Sequence, residues 1–303
     1  MFQAIALFIS LLLLLVSFHF GRLTSHFLAL FPTDPGLNMA DCEDGFSPLT
    51  LTVKQGHVNA VKDLVLHQGV DVNSRDGRGI TSTETAISEN NIAMIRTLAE
   101  LGADLNKPNN SGVSPIFIAA QEGHEVSIRA LAELGANLNE PNSNGATPVY
   151  IAAQEGHEAS IRALAELGAN LNEPNINGAT PVYIAAQEGH EVSIRALAEL
   201  GANLNEPNIN GATPVYIAAQ EGHEVSIRAL AELGADINTP AYGGFTPVFI
   251  AAENGHEASI RALAELGANI NTPANNGFTP VHVAAQEGHE ASIRALAELG
   301  ADL

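Results

Sequence analysis

The sequence is short of several things, and most of the shortages close off a class of function. It has one cysteine, Cys42, and no tryptophan. A single thiol cannot build an intrachain disulfide framework or a cysteine metal cluster, and it fits a reducing compartment. Basic residues are scarce: 13 Lys and Arg stand against 34 Asp and Glu, for a formal net charge of −21. That field repels phosphates, so no nucleic acid partner is expected. It favours solubility, suits a basic partner, and also keeps a repetitive surface from associating with itself. Charged residues of both signs reach only 16%, while apolar residues reach 46%, part of that excess lying in the first 31 positions.

Charge is missing altogether before Arg22. Residues Met1 to Phe20 read MFQAIALFISLLLLLVSFHF, and about 20 apolar residues span a bilayer core as a helix. Three readings stand. A signal anchor through residues 2–20 is favoured over a secretory signal peptide, because no Lys or Arg lies upstream and no clean small-x-small cleavage site follows. Arg22 on the C-terminal flank then places the repeats in the cytosol, as a single-pass membrane protein. The third reading starts translation at Met39 (MADCEDGFSPL) and gives a soluble cytoplasmic protein. The expected organisation is an apolar segment over 1–22, a linker over 23–42 punctuated by Pro32, Pro35 and Gly36, and a repeat array over 43–303.

The array declares itself by period. Gly79, Gly112, Gly145, Gly178, Gly211, Gly244 and Gly277 lie 33 residues apart, and Gly45 precedes Gly79 by 34. Gly168–Leu200 is identical to Gly201–Leu233, which points to tandem duplication. The units run 43–76, 77–109, 110–142, 143–175, 176–208, 209–241, 242–274 and 275–303. In the unit SNGATPVYIAAQEGHEASIRALAELGANLNEPN, Asn144-Gly145 signals a tight turn in which both residues tolerate positive φ. Thr147 caps a first helix with Pro148 at its first position, and Gly156 stops it near Glu155. A second helix runs from Glu158 to Leu167, with Ile161, Leu164, Ala165 and Leu167 on its buried stripe. Helices of two and three turns are not stable alone, so units must stack and share one core.

The run G-x-TP-x-x-x-AA-x-x-GH, followed by a helix and GA-x-L-N, resembles the ankyrin repeat, over most of the chain. The resemblance implies an all-α fold: an ankyrin-repeat solenoid of helix-turn-helix units with β-hairpin fingers, which binds proteins on the face made by fingers and first helices. The chain departs from the pattern in three places. Tyr150, Tyr183, Tyr216, Phe117 and Phe249 replace the usual histidine, which only His282 keeps. The second unit reads ITSTETAISENN, without TP or GH, so Ile80–Asn91 is expected to be locally irregular. The last unit keeps the internal apolar pattern of Ile293, Leu296, Ala297 and Leu299 instead of a polar cap, so the array is either incomplete at Leu303 or covered there.

No catalytic residue, metal ligand or cofactor is expected. His57, His124, His157, His190, His223, His256 and His289 form a ladder, but HEASI and HEVSI lack the second histidine of HExxH. Packed helices sit about 8–10 Å apart, too far for neighbouring rungs to share one zinc ion. Each rung is read as a turn histidine bonding to backbone. Glu158, Arg162 and Glu166 lie at i, i+4 and i+8 and read as a solvated charge ladder. Catalysis needs a few singular groups in a pocket, whereas here nearly every polar group is copied.

The resemblance places protein contacts at Ser143, Asn144, Ala146, Gln154 and Glu155, at Ile176, Asn177, Ala179, Gln187 and Glu188, and at Ile209, Asn210, Ala212, Gln220 and Glu221. Such monotony suits a multivalent ligand, or marks spacers that duplication multiplied. Tyr242, Phe245 and Phe278 break it, either as interface anchors or by packing on neighbouring fingers. The leading expectation is a non-catalytic protein-interaction scaffold or adaptor, possible as a membrane-anchored form. The alternatives are the repeat portion of a larger enzyme and a mechanical spacer.

Overall fold

A computed structural model describes residues 45–303. The apolar segment over 1–22, Met39 and Cys42 lie outside the described residues. Among those described, sixteen α-helices alternate short and long. They are α1 Pro48–Lys54, α2 Val58–Leu66, α3 Ser82–Ser88, α4 Ile92–Glu100, α5 Pro115–Gln121, α6 Glu125–Glu133, α7 Pro148–Gln154, α8 Glu158–Glu166, α9 Pro181–Gln187, α10 Glu191–Glu199, α11 Pro214–Glu221, α12 Glu224–Glu232, α13 Pro247–Glu253, α14 Glu257–Glu265, α15 Pro280–Gln286 and α16 Glu290–Glu298. None of the described helices is long and apolar enough to cross a membrane.

The helices begin and end where local chemistry puts them. Thr147, Thr180 and Thr213 take extended backbone, and their hydroxyls accept the N–H of Tyr150, Tyr183 and Tyr216. Proline follows at the first helical position, where its missing N–H costs nothing. Every short helix except α3 stops at a glycine. At Gly189, with φ of +77°, a Cβ would lie 2.8 Å from the ring of His223, so the position must be bare for the next histidine to dock.

The expected irregularity over Ile80–Asn91 is not found. Helix α3 forms there with a full capping box: the Thr81 hydroxyl accepts the Glu84 N–H and the Glu84 carboxylate accepts the Thr81 N–H. Asn90 adopts φ of +47° where the other units have glycine, a conformation asparagine tolerates. Asn91 caps α4 by accepting the Met94 N–H. Thr81 thus caps as Thr147 does even without the proline, Asn90 takes the glycine's conformation, and Asn91 supplies a cap bond that His157 does not make.

Two compact units divide the chain within the third repeat: residues up to Ala119 together with Ala130–Ala136, and Ala120–Arg129 together with Asn137–Leu303. In the first, α1 packs on α2 and α3, and α4 closes against α2 and α3. In the second, the short helices α7, α9, α11, α13 and α15 pack in one row, and the long helices α8, α10, α12, α14 and α16 in another. Between the rows lie Val149, Ala152, Ala153, Ile161, Ala163 and Leu164, all buried with their copies as far as Leu263; in the last repeat Ile293 is half-buried and Ala285 exposed. Ala163 takes the place that the 3.6 period assigned to Ala165, which is half-buried along with Leu167. Alanine on both helices allows the close approach that this double row requires.

Candidate interaction surface

The turns before α7, α9 and α11 are made by one asparagine each. The Asn142 N–H donates to the Ala146 carbonyl (2.9 Å) and its own carbonyl accepts the Gly145 N–H (2.9 Å). Its side-chain Oδ1 accepts the N–H groups of Asn144 (2.9 Å) and Ala146 (3.0 Å). Asn175 and Asn208 repeat the pattern. Only the glycine takes positive φ, 76° at Gly145, so the turn is not the two-residue type that Asn-Gly suggested. The fingers are also not β-ladders: among the described residues the bridge is the isolated pair Arg75 and Thr81. Finger is tied to finger by single backbone bonds, from the N–H of Ile176, Ile209 and Tyr242 to the carbonyls of Asn144, Asn177 and Asn210.

Those tied residues stand in an exposed apolar row. Ile176 is 67% exposed, Ile209 60% and Tyr242 73%. Ser143, Asn144, Asn177 and Asn210 flank them in solvent, and Gln154, Glu155, Gln187, Glu188, Gln220 and Glu221 line the ends of the first helices, half-buried or exposed. Ala146, Ala179 and Ala212 are buried beneath the fingers, so they support the surface and are not on it. Phe245, at their register position, is half-buried with its ring 5.0 Å from that of Phe249. Phe278 is exposed and stacks on His282, with ring centroids 6.1 Å apart.

A second series joins four of the first helices, α1, α3, α7 and α9, to the next finger. The Thr50 hydroxyl donates to Asp76 (3.2 Å), and the Asn109 amide donates to Glu84 (3.3 Å). The Asn175 and Asn208 amides donate to the hydroxyls of Tyr150 (3.1 Å) and Tyr183 (3.0 Å). Burial pushes the phenols of Tyr150, Tyr183 and Tyr216 up to about 12, so all three are neutral in ordinary conditions. Nothing in the sequence pattern announced this series, because its partners are 25 or 26 residues apart and share no helix.

The remaining polar ladders are structural. Nε2 of His157, His223, His256 and His289 lies 2.9–3.0 Å from the carbonyls of Gln121, Gln187, Gln220 and Glu253, one repeat back. These are the backbone-bonded turn histidines expected from the ladder. No group of three or more His, Cys, Asp or Glu that could hold a metal ion occurs among the described residues. On the long helices, Arg162 donates to Glu158 within the helix (2.7 Å) and to Glu199 in the next repeat (2.7 Å). Arg129, Arg195, Arg228 and Arg261 do the same. The sequence ladder at i+8 is therefore closed between repeats, 37 residues apart, and not along one helix.

Paired helices, Asn-locked fingers and histidine latches at a fixed 33-residue register define a helical repeat protein of the kind that binds other proteins. The chain belongs to the ankyrin-repeat family: a model of ankyrin repeats in three copies matches residues 13–109, 86–175, 167–241 and 239–303. Among solved structures it is similar to the human ASB11 ankyrin repeat domain. That match has 26% identity and a TM-score of 0.66, and covers 74% of this chain and all of the other. No curated protein matches the chain. Ankyrin repeats are protein-interaction modules, and no catalytic family is indicated.

Proposed function

We propose that this protein is a non-catalytic scaffold whose fingers and first helices bind a protein partner, held at a membrane by residues 2–20. The observation that carries the reading is the row Ile176, Ile209 and Tyr242, three large apolar side chains in solvent at one register position. Each is fixed by a backbone bond to the finger before it, so the row is pre-ordered. Pre-ordered apolar anchors with a polar surround are where binding energy concentrates. Aromatic Tyr242 is the expected anchor, flanked by exposed Phe278, while Phe245 contributes by packing on Phe249.

The test is selection of a displayed library of 12-residue peptides on the immobilised full chain. Enriched peptides are expected to lose affinity by about tenfold or more when Ile176→Asp, Ile209→Asp and Tyr242→Ala are combined. Absence of enrichment, or affinity indifferent to those substitutions, overturns the reading. Anchoring is tested separately: the native chain starting at Met1 should stay in the membrane pellet through alkaline carbonate, and a soluble chain starting near Met39 would refute it.

A further inference from the structure

The helix-to-finger series lapses at Phe117, Tyr216 and Phe249, and of these only Tyr216 carries a hydroxyl. Tyr150 and Tyr183 have their hydroxyls engaged by Asn175 and Asn208. Tyr216 occupies the same position one repeat later, but Ala241 stands where the asparagine would be. Tyr216 is only 8% exposed, yet no group hydrogen-bonds its hydroxyl. One repeat further the register holds Phe249 and Ala274, which have no side-chain polar atom to satisfy. The orphan is therefore confined to Tyr216.

Replacing asparagine by alanine also opens space. A cleft of about 410 Å³ lies at this point, lined among others by Tyr183, Asn208, Tyr216, Gln220, Ala241 and Tyr242. It offers acceptors to a donor. One N–H of the Asn208 amide goes to Tyr183 and its Oδ1 to the finger. Gln220 gives its amide N–H to Glu221 (3.1 Å), which leaves its own Oε1 to accept. The Tyr216 oxygen has free lone pairs, and the exposed ring of Tyr242 offers a π-face.

Charge points the same way. Glu253 acts electrostatically on Tyr216, and Glu221 on Tyr183. From residue 137 onward every cation is an arginine on a long helix: Arg162, Arg195, Arg228, Arg261 and Arg294. The fingers and first helices of that stretch carry no lysine or arginine at all. An anion would find no lysine or arginine there and would meet carboxylates.

We propose that this cleft seats a lysine or arginine side chain of the protein partner, its N–H groups donating to the Tyr216 hydroxyl and Gln220 Oε1 and its charge lying against the Tyr242 ring. The inference rests on the scaffold reading and specifies which side chain that partner brings. A hydroxyl on a buried ring with carboxylates nearby favours a cationic donor, and a cation over an aromatic ring adds to it.

The test uses four libraries of 12-residue peptides, identical except that one central position is held as Lys, Arg, norleucine or Glu, passed over the immobilised full chain. The Lys and Arg libraries are expected to be retained about tenfold better than the other two. That preference should vanish in Ala241→Asn, which gives Tyr216 the partner its neighbours have, and in Tyr216→Phe. Asparagine already fills this place at 175 and 208, so Ala241→Asn should melt no lower than the parent. Equal retention of all four libraries overturns the seat and leaves the scaffold standing. A Lys preference that survives both substitutions belongs to bulk negative charge and also overturns the seat. Retention of no library overturns the scaffold reading, and the seat with it.

Discussion

The first finger and the middle fingers share one backbone pattern and hold it by different chemistry. In the first, Asp76 is buried and its Oδ1 accepts the N–H groups of Arg78 and Ile80, both at 3.0 Å. Its Oδ2 accepts from the Arg78 guanidinium (2.7 Å) and the Thr50 hydroxyl (3.2 Å), while Arg78 also lies over the Phe46 ring at 3.6 Å. In the middle, a neutral asparagine does the same backbone work and reaches back to a tyrosine. The first finger is made of singular parts that depend on one another. The middle fingers are made of one part copied, and copying carries flaws along with solutions: Ser160, Ser193, Ser226, Ser259 and Ser292 each bury a hydroxyl without a partner.

The contrast can be broken most directly by removing the two keystones. Asp76→Ala strands the donors of Arg78, Ile80 and Thr50 and should cost about 3 kcal/mol in a urea melt. Asn175→Ala strands neutral groups only and should cost about 1–2 kcal/mol. Equal losses would mean the two fingers are interchangeable after all.

Proton binding should separate the regions next. Burial works against the Asp76 carboxylate, but bonds from the Arg78 side chain and from the Ile80 and Arg78 N–H groups hold it below 3.8 overall. A depressed carboxyl stabilises the fold above 3.8 and loses that contribution as pH falls through its lower folded value. The phenols of Tyr150, Tyr183 and Tyr216 are raised from 10.0 to about 12, so their contribution is whole below 10.0 and is lost as pH climbs to about 12. Hydrogen exchange should therefore show acid loosening residues near Asp76 first, and alkali loosening the middle repeats first. The same order of loosening at both extremes would refute the contrast.

The buried serines sharpen it with the opposite sign. Ser193→Ala should raise stability by about 1 kcal/mol, because it removes an unsatisfied hydroxyl and little volume. Ser127, at the same register position, has a partner, so Ser127→Ala should bring no such gain. The smallest effect is reserved for the ion-pair ladder. Arg195→Gln breaks bonds to Glu191 and Glu232 at the surface, and should shift the urea midpoint least of these substitutions, and less still in high salt.

Much of the fold was legible in the sequence because its signals are short-range. Thr-Pro caps, Gly-His stops and the 33-residue period locate helices without reference to anything distant. The reading failed where a different residue does the same job, as Asn90 does in place of glycine. It failed also where the partner sits a repeat away: the Arg162 to Glu199 bond, the Tyr183 to Asn208 bond and the orphan Tyr216 all require stacking to be known first. The candidate surface was legible as register positions. That Ala146, Ala179 and Ala212 are buried while Ile176, Ile209 and Tyr242 stand out depends on how each turn is folded over, which Asn-Gly alone does not specify.

Each series of bonds between repeats keeps its own fixed interval, and two adjacent 33-residue stretches are identical. If residues 176–208 were excised, the Ile209 N–H would meet the Asn144 carbonyl just as that of Ile176 does now. Misaligned recombination in the encoding gene could then delete or insert a whole unit and leave no seam in the protein. The molecule is in that respect a ruler graduated in single repeats: its length, and the distance between the Tyr216 cleft and anything bound further along, can change only by whole steps.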